Sequence, residues 1–290
     1  MTADIVMLQP RWLGTRADYV RVLRWSPDGQ KLAVALADGT VRLTNPGNRM
    51  EEDTREAHDG GVLCLEWSPD GRWLSSGGED GQACLWDAAG DSPAEPLAGG
   101  SAWVEHLAWS PRGSRLATAA GRQLRLWNTR GEAIGEYSGH ASTVTGLYWL
   151  REGRLLVMAC YGGLTLWRTG QADYERHFPW KGSFVNLALS PNNRHCAAAT
   201  QESSLLVFDL KSGEKVGMSG YPGKVKRLAW DSRSRYLAQR LGTRPSSGTS
   251  PALDRPEVGR ASSAGMSTGL TIWHFIPANP SWPRAGRMDS

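Results

Sequence analysis

Several signatures of dedicated chemistry are missing from this 290-residue chain. No stretch approaches the roughly 18 consecutive apolar residues of a membrane-spanning helix, so no membrane partner is expected. The four cysteines include no C-x-x-C pair, which argues against a zinc knuckle and a disulfide framework. The six histidines show no H-E-x-x-H or other paired spacing, so neither a metal nor another cofactor is expected. A Walker phosphate loop and a helix-opening G-x-G-x-x-G are also absent, and the single G-x-S-x-G run, Gly265-Met266-Ser267-Thr268-Gly269, has no Ser/His/Asp set with triad context. With them go the common hydrolase and nucleotide sites, and no small-molecule substrate is expected. The opening MTADIVMLQPRW lacks the basic flank and apolar core of a secretory signal, so a cytoplasmic address is expected. What the chain does have is 14 tryptophans and 34 glycines, in a composition otherwise ordinary for a globular protein.

The tryptophans lie in a repeat. VRVLRWSPDG begins at Val20, VLCLEWSPDG at Val62, VEHLAWSPRG at Val104, VTGLYWLREG at Val144, FVNLALSPNN at Phe184 and VKRLAWDSRS at Val225. Their anchors Trp25, Trp67, Trp109, Trp149, Leu189 and Trp230 are 42, 42, 40, 40 and 41 residues apart. A second anchor series, Thr44, Trp86, Trp127, Trp167 and Phe208, keeps nearly the same period. Such a period implies stacked supersecondary units rather than separate domains. Within a unit the pattern is β. In the second unit, residues 62–67 form a short run that Ser68-Pro69-Asp70-Gly71 turns, because Pro presets φ, Asp bonds the backbone ahead and Gly accepts positive φ. A second run, the turn Glu79-Asp80-Gly81 and a third run follow. Short strands closed by Gly-rich turns every 40 residues or so suit a four-stranded propeller blade.

These units resemble WD repeats of the WD40 class, over residues 20–238. The resemblance implies an all-β WD40 β-propeller with five complete repeats plus a truncated sixth, cut from a seven-bladed parent. Residues 1–19 would be a leader whose residues 5–9 supply a closing strand. The family's structural tetrad falls on His58, Ser76, Asp80 and Trp86 of the second repeat, where the side chains are expected to hydrogen-bond in series. Other copies are degenerate: repeat 4 keeps His140 and Trp167 but has Tyr161 at the Asp position, repeat 1 pairs Asp38 with Thr44, and repeat 5 has Glu202 and Phe208. Packing is expected to hold those blades.

The resemblance also implies a protein–protein interaction scaffold, non-catalytic, with protein partners on its top rim. Carried over position by position, the rim comprises Tyr19, Arg21, Glu79, Trp103, Glu105, Tyr161, Gln201, Lys224 and Lys226, with Ala37, Leu63, Thr143 and Thr145 between them. Trp103 is the strongest single candidate, because Trp, Tyr and Arg dominate interface hot spots. One alternative is a propeller enzyme using the rim carboxylates Glu79 and Glu105. Another is a nucleic-acid binder using Arg11, Arg16, Arg21 and Arg24, although a scattered solvated edge explains those arginines as well.

The pattern fails after Ala238. In residues 239–290, Pro, Gly and Ser supply 20 of 52 positions, Lys is absent, and six Arg face three acids, so +3 of the net +4 sits in this tail. A change of reading frame accounts for it. Trp273-His274 and Trp282-Pro283 each encode alanine in the shifted frame, and Met288-Asp289 encodes glycine, whatever the codon choice. Their gaps of 9 and 6 are those from Ala108 to Ala117 and from Ala33 to Gly39. The alternative is a disordered insertion followed by a true third strand, since Leu270-Thr271-Ile272-Trp273 echoes Leu164-Thr165-Leu166-Trp167.

Overall fold

The computed structural model describes residues 18–45, 48–90, 95–98, 100–138, 140–150, 153–171, 173–221, 223–241 and 270–274. The expected closing strand at 5–9 and most of the tail lie outside them. The described residues form five four-stranded sheets and one three-stranded sheet, each strand beside its neighbour in sequence. The first sheet holds β1 (Val20–Trp25), β2 (Leu32–Leu36), β3 (Thr40–Asn45) and β4 (Asn48–Glu56). The second holds β5 (Val62–Trp67), β6 (Trp73–Gly78), β7 (Gln82–Asp87) and β8 (Glu95–Ala98). In the third are β9 (Val104–Trp109), β10 (Arg115–Ala120), β11 (Gln123–Asn128) and β12 (Ala133–Tyr137). The fourth comprises β13 (Gly146–Trp149), β14 (Leu155–Cys160), β15 (Gly162–Arg168) and β16 (Tyr174–Trp180). The fifth comprises β17 (Phe184–Leu189), β18 (His195–Thr200), β19 (Leu205–Asp209) and β20 (Lys215–Met218). The sixth has β21 (Val225–Trp230), β22 (Tyr236–Leu241) and β23 (Leu270–His274). The second strand of this last sheet thus passes the expected boundary at Ala238, and a tail segment supplies the third, with Leu237 opposite Trp273 and Ala238 opposite Ile272.

The turn between the first two strands recurs because one serine braces it. Ser68 Oγ accepts the Trp73 N–H at 2.8 Å, and the Asp70 carboxylate accepts the Arg72 N–H at 3.1 Å. Ser26, Ser110 and Ser190 accept the N–H of Lys31, Arg115 and His195 in the same way, at 2.9–3.0 Å. At the next turn, Gly81 has φ +78°, and a Cβ there would run into the Gly100 carbonyl. Gly81→Ala is therefore expected to cost about 1–3 kcal/mol from backbone conformation alone, plus the overlap. Thermal melting checks it: an unchanged midpoint contradicts this account of the turn.

The chain divides into two compact units, Met1–Ala120 with Arg125–Ile134, and Gly121–Leu124 with Gly135–Ser290. In the first unit, Ala33, Ala35, Val41 and Leu43 of one blade receive Val62, Leu65 and Trp67 of the next. Ala83, Leu85 and Leu97 likewise receive Val104, Leu107 and Trp109. Small residues on one side make room for large ones on the other: a Cβ on Gly77 would meet Val104 Cγ1 at 2.6 Å. Indole N–H groups fasten the same junctions, Trp67 to the Arg24 carbonyl at 3.1 Å and Trp109 to Ser75 Oγ at 3.0 Å. In the second unit, Trp230 donates to the Ala188 carbonyl at 3.0 Å.

β1 differs. Val20, Leu23 and Trp25 are 45%, 51% and 55% exposed, whereas their counterparts in β5 and β9 are buried. No repeat precedes β1 among the described residues, so this strand forgoes about 1.5–3 kcal/mol for each large apolar side chain left uncovered.

Candidate functional site

Several of the residues expected on the rim share a local feature. In β1 the register with β2 slips between Val20 and Val22; in β5 it slips between Val62 and Cys64, and in β21 between Val225 and Arg227. β17 slips between Phe184 and Asn186, and in β9 Val104 and His106 pair with consecutive residues of β10. One residue is therefore extra at the start of each of these inner strands: Arg21, Leu63, Glu105, Val185 and Lys226. Such a bulge bends the strand and re-aims the side chain. Of these residues, Arg21, Glu105 and Lys226 are exposed.

Below the rim, three members of the second repeat's tetrad touch. His58 Nδ1 lies 3.0 Å from Asp80 Oδ1, and its Nε2 lies 2.6 Å from Ser76 Oγ. With a neutral imidazole, Nδ1–H donates to the carboxylate and the serine hydroxyl donates to Nε2. Asp80 also accepts the backbone N–H of Asp59 and Gln82, at 3.2 and 2.9 Å. Trp86 is 1% exposed, in the apolar cluster that holds Leu65 and Leu74. In repeat 4, Trp167 donates instead to Thr165 Oγ1 at 2.9 Å, and His140 stands edge-on to its ring, 5.0 Å between centroids. Tyr161 is exposed there, not drawn into a series. In repeat 5, Phe208 packs edge-on against Phe178 and Phe184. In repeat 1, Asp38 accepts from Thr40 N–H and Oγ1 at 2.8 and 2.7 Å.

Burial holds His58 below the ordinary histidine value, outweighing the pull of Asp80 in the other direction. Burial also lowers His140 and His195. A group harder to protonate when folded binds more protons when unfolded, so this contribution to stability is complete above 6.5, the ordinary value, and is lost as pH falls below it. The melting temperature is expected to be lower near pH 5.5 than near pH 7.5. A flat or rising profile across that interval would contradict it.

In the first unit two of the charges expected on the rim pair with each other. Arg21 Nη2 lies 3.2 Å from Glu79 Oε1, and Glu79 Oε2 accepts the Gly61 N–H at 3.2 Å. Glu79 is thus committed to a structural contact, which weakens its candidacy as a catalytic acid. Arg24 pairs with Glu66 at 3.3 Å, so Arg21 and Arg24 both face carboxylates, while Arg11 and Arg16 lie outside the described residues. Tyr19 and Trp103 are 84% and 55% exposed. In the second unit, Lys224 Nζ donates to Gln201 Oε1 at 2.7 Å beside an open cleft of about 430 Å³. Val185, Asn186, Gln201, Lys224, Val225, Lys226 and Arg227 line that cleft. Asn186 and Arg227 were not among the sequence-derived candidates, although the run Lys224-Val225-Lys226-Arg227 advertises the charge.

The thiols are packed. Burial raises Cys64, Cys160 and Cys196, and pushes Cys84 up to about 12, which disfavours a reactive thiolate at any of them. Among the described residues, no group of three or more His, Cys, Asp or Glu could hold a metal ion.

The pattern described as "WD domain, G-beta repeat" matches residues 11–45, 51–87 and 94–128. The three matched stretches are WD repeats. The second and third WD matches begin in or just before the outer strand of one sheet and end on the third strand of the next, so each sequence repeat ties two neighbouring blades together. No curated protein matches the chain. Among solved structures, a chain from "Crystal Structure of Mitotic Checkpoint Complex" superposes with a TM-score of 0.69 at 21% identity, over 80% of this chain and 74% of that one. At that identity the likeness establishes the fold, an all-β WD40 propeller.

Proposed function

We propose that this WD-repeat chain is a non-catalytic scaffold that binds proteins through the bulged starts of its inner strands and the turns beside them. The observation that carries this is Trp103. Its indole is more than half exposed, yet the next residue, Val104, is fully buried at a blade junction. A large rigid ring is thus planted on an immobile base, which limits the entropy lost when a partner covers it. Tyr19, Arg21, Glu79 and Glu105 are the other contact residues of the first unit. Tyr161, Gln201, Lys224 and Lys226 are those of the second unit. The engagement of Glu79 by Arg21 and Gly61, together with the packed thiols, favours binding over turnover. Affinity capture with mass spectrometry tests the proposal: stoichiometric protein partners that survive nuclease treatment are expected. Recovery that depends on nucleic acid, or turnover by the purified chain, would overturn it.

A further inference from the structure

We propose that the cleft between the inner strands of the fifth and sixth sheets receives an anionic side chain, phosphate or carboxylate, on an extended segment of a protein partner. This deepens the scaffold proposal and rests on it. Every charged group that lines the cleft is a donor. Lys and Arg only donate, and Lys224, Lys226 and Arg227 supply two ammonium groups and one guanidinium. Both amide oxygens are already engaged: Gln201 Oε1 accepts from Lys224 Nζ at 2.7 Å, and Asn186 Oδ1 accepts the Leu228 N–H at 3.1 Å. Each amide also carries an NH2 group that can donate. No carboxylate lines the cleft, and among the described residues neither Lys226 nor Arg227 has an acidic partner within ion-pair distance.

Contrast with the first unit sharpens the point, since there Arg21 and Arg24 are each matched by a glutamate. The bulge is what concentrates the charge: by adding a residue between Val225 and Arg227, it leaves two consecutive cations on the cleft side. A phosphate ester, with about −1.5 to −2 charges and three acceptor oxygens, would satisfy this donor set most fully, and the planar guanidinium can grip either anion with two parallel bonds. Val185 and Val225 give the cleft apolar walls, and it contains no aromatic ring on which a base could stack, so a peptide fits better than a nucleic acid.

The test is binding of the full chain, at low and high salt, to three degenerate peptide libraries centred on phosphoserine, glutamate or serine, with oligo-dT as competitor. Retention of the phosphoserine and glutamate libraries is expected to exceed that of serine by about tenfold and to fall as salt screens the charges. The double variant Lys226→Glu, Arg227→Glu should abolish that preference with an unchanged melting temperature, while Lys211→Glu, on an exposed turn of the same unit, should retain it. Preference for phosphoserine alone identifies a phosphate site, and equal preference a general anion site; both support the proposal. Equal retention of all three libraries, indifference to the double variant, or displacement by oligo-dT in preference to the anionic peptides would overturn it. If protein capture persists while the libraries fail, only the cleft proposal falls; if capture fails as well, the scaffold proposal falls with it.

Discussion

Trp86→Ala is expected to destabilise the chain by about 3–5 kcal/mol, the range for truncating a fully buried large aromatic. That is a large part of the roughly 5–15 kcal/mol that holds a domain folded. The indole is 1% exposed and packs in the cluster that joins the first two blades, with Ala35, Val41, Leu43, Leu65 and Leu74. A cavity there would loosen that blade junction. Ser76→Ala should cost less, about 1–3 kcal/mol, because it leaves one buried imidazole nitrogen without a partner but opens little space. Trp86→Phe should fall below the alanine variant, since repeat 5 builds the same position around Phe208, itself 1% exposed. Denaturant unfolding measures all three. A Trp86→Ala effect under about 1 kcal/mol would mean that this core does not hold the blades.

Trp103→Ala is expected to weaken capture of the principal partner by about 2 kcal/mol or more, roughly thirtyfold, the scale of an interface hot spot. The loss should appear mainly as faster dissociation, because most interface truncations act on that rate. Stability should barely change, since the ring is exposed and the anchor beneath it, Val104, is untouched. Ile134→Ala, at a comparably exposed apolar residue on β12 of the third sheet, serves as the control and should leave the affinity unchanged. Equal losses from both substitutions would point to general stickiness.

Most of the fold was legible because its signals are local. The Trp and Leu anchors mark inner strands, Ser-Pro-Asp-Gly marks the first turn, and Asp80-Gly81 marks the next. His58, Ser76 and Asp80 could be picked out from one well-preserved copy. The outer strands were not legible: Asn48–Glu56 is NRMEEDTRE, a polar run without apolar alternation, ordered by pairing with β3 rather than by any pattern of its own. The bulges were hidden too, because a register slip depends on the partner strand. The ion pair of Arg21 with Glu79 spans 58 residues and needs two stacked blades to form. Donor convergence at Asn186 and Arg227 likewise depends on neighbouring inner strands lying side by side, which no spacing within one repeat reveals.

The central claim, that partners sit on the bulged starts of the inner strands, is tested most directly by hydrogen-exchange footprinting of the chain with and without its captured partner. The account predicts added protection in segments around Tyr19 and Arg21, around Trp103 and Glu105, and around Lys224 and Lys226. Protection confined to the outer strands, such as Ala133–Tyr137 or Lys215–Met218, with the inner-strand starts unchanged, would contradict it.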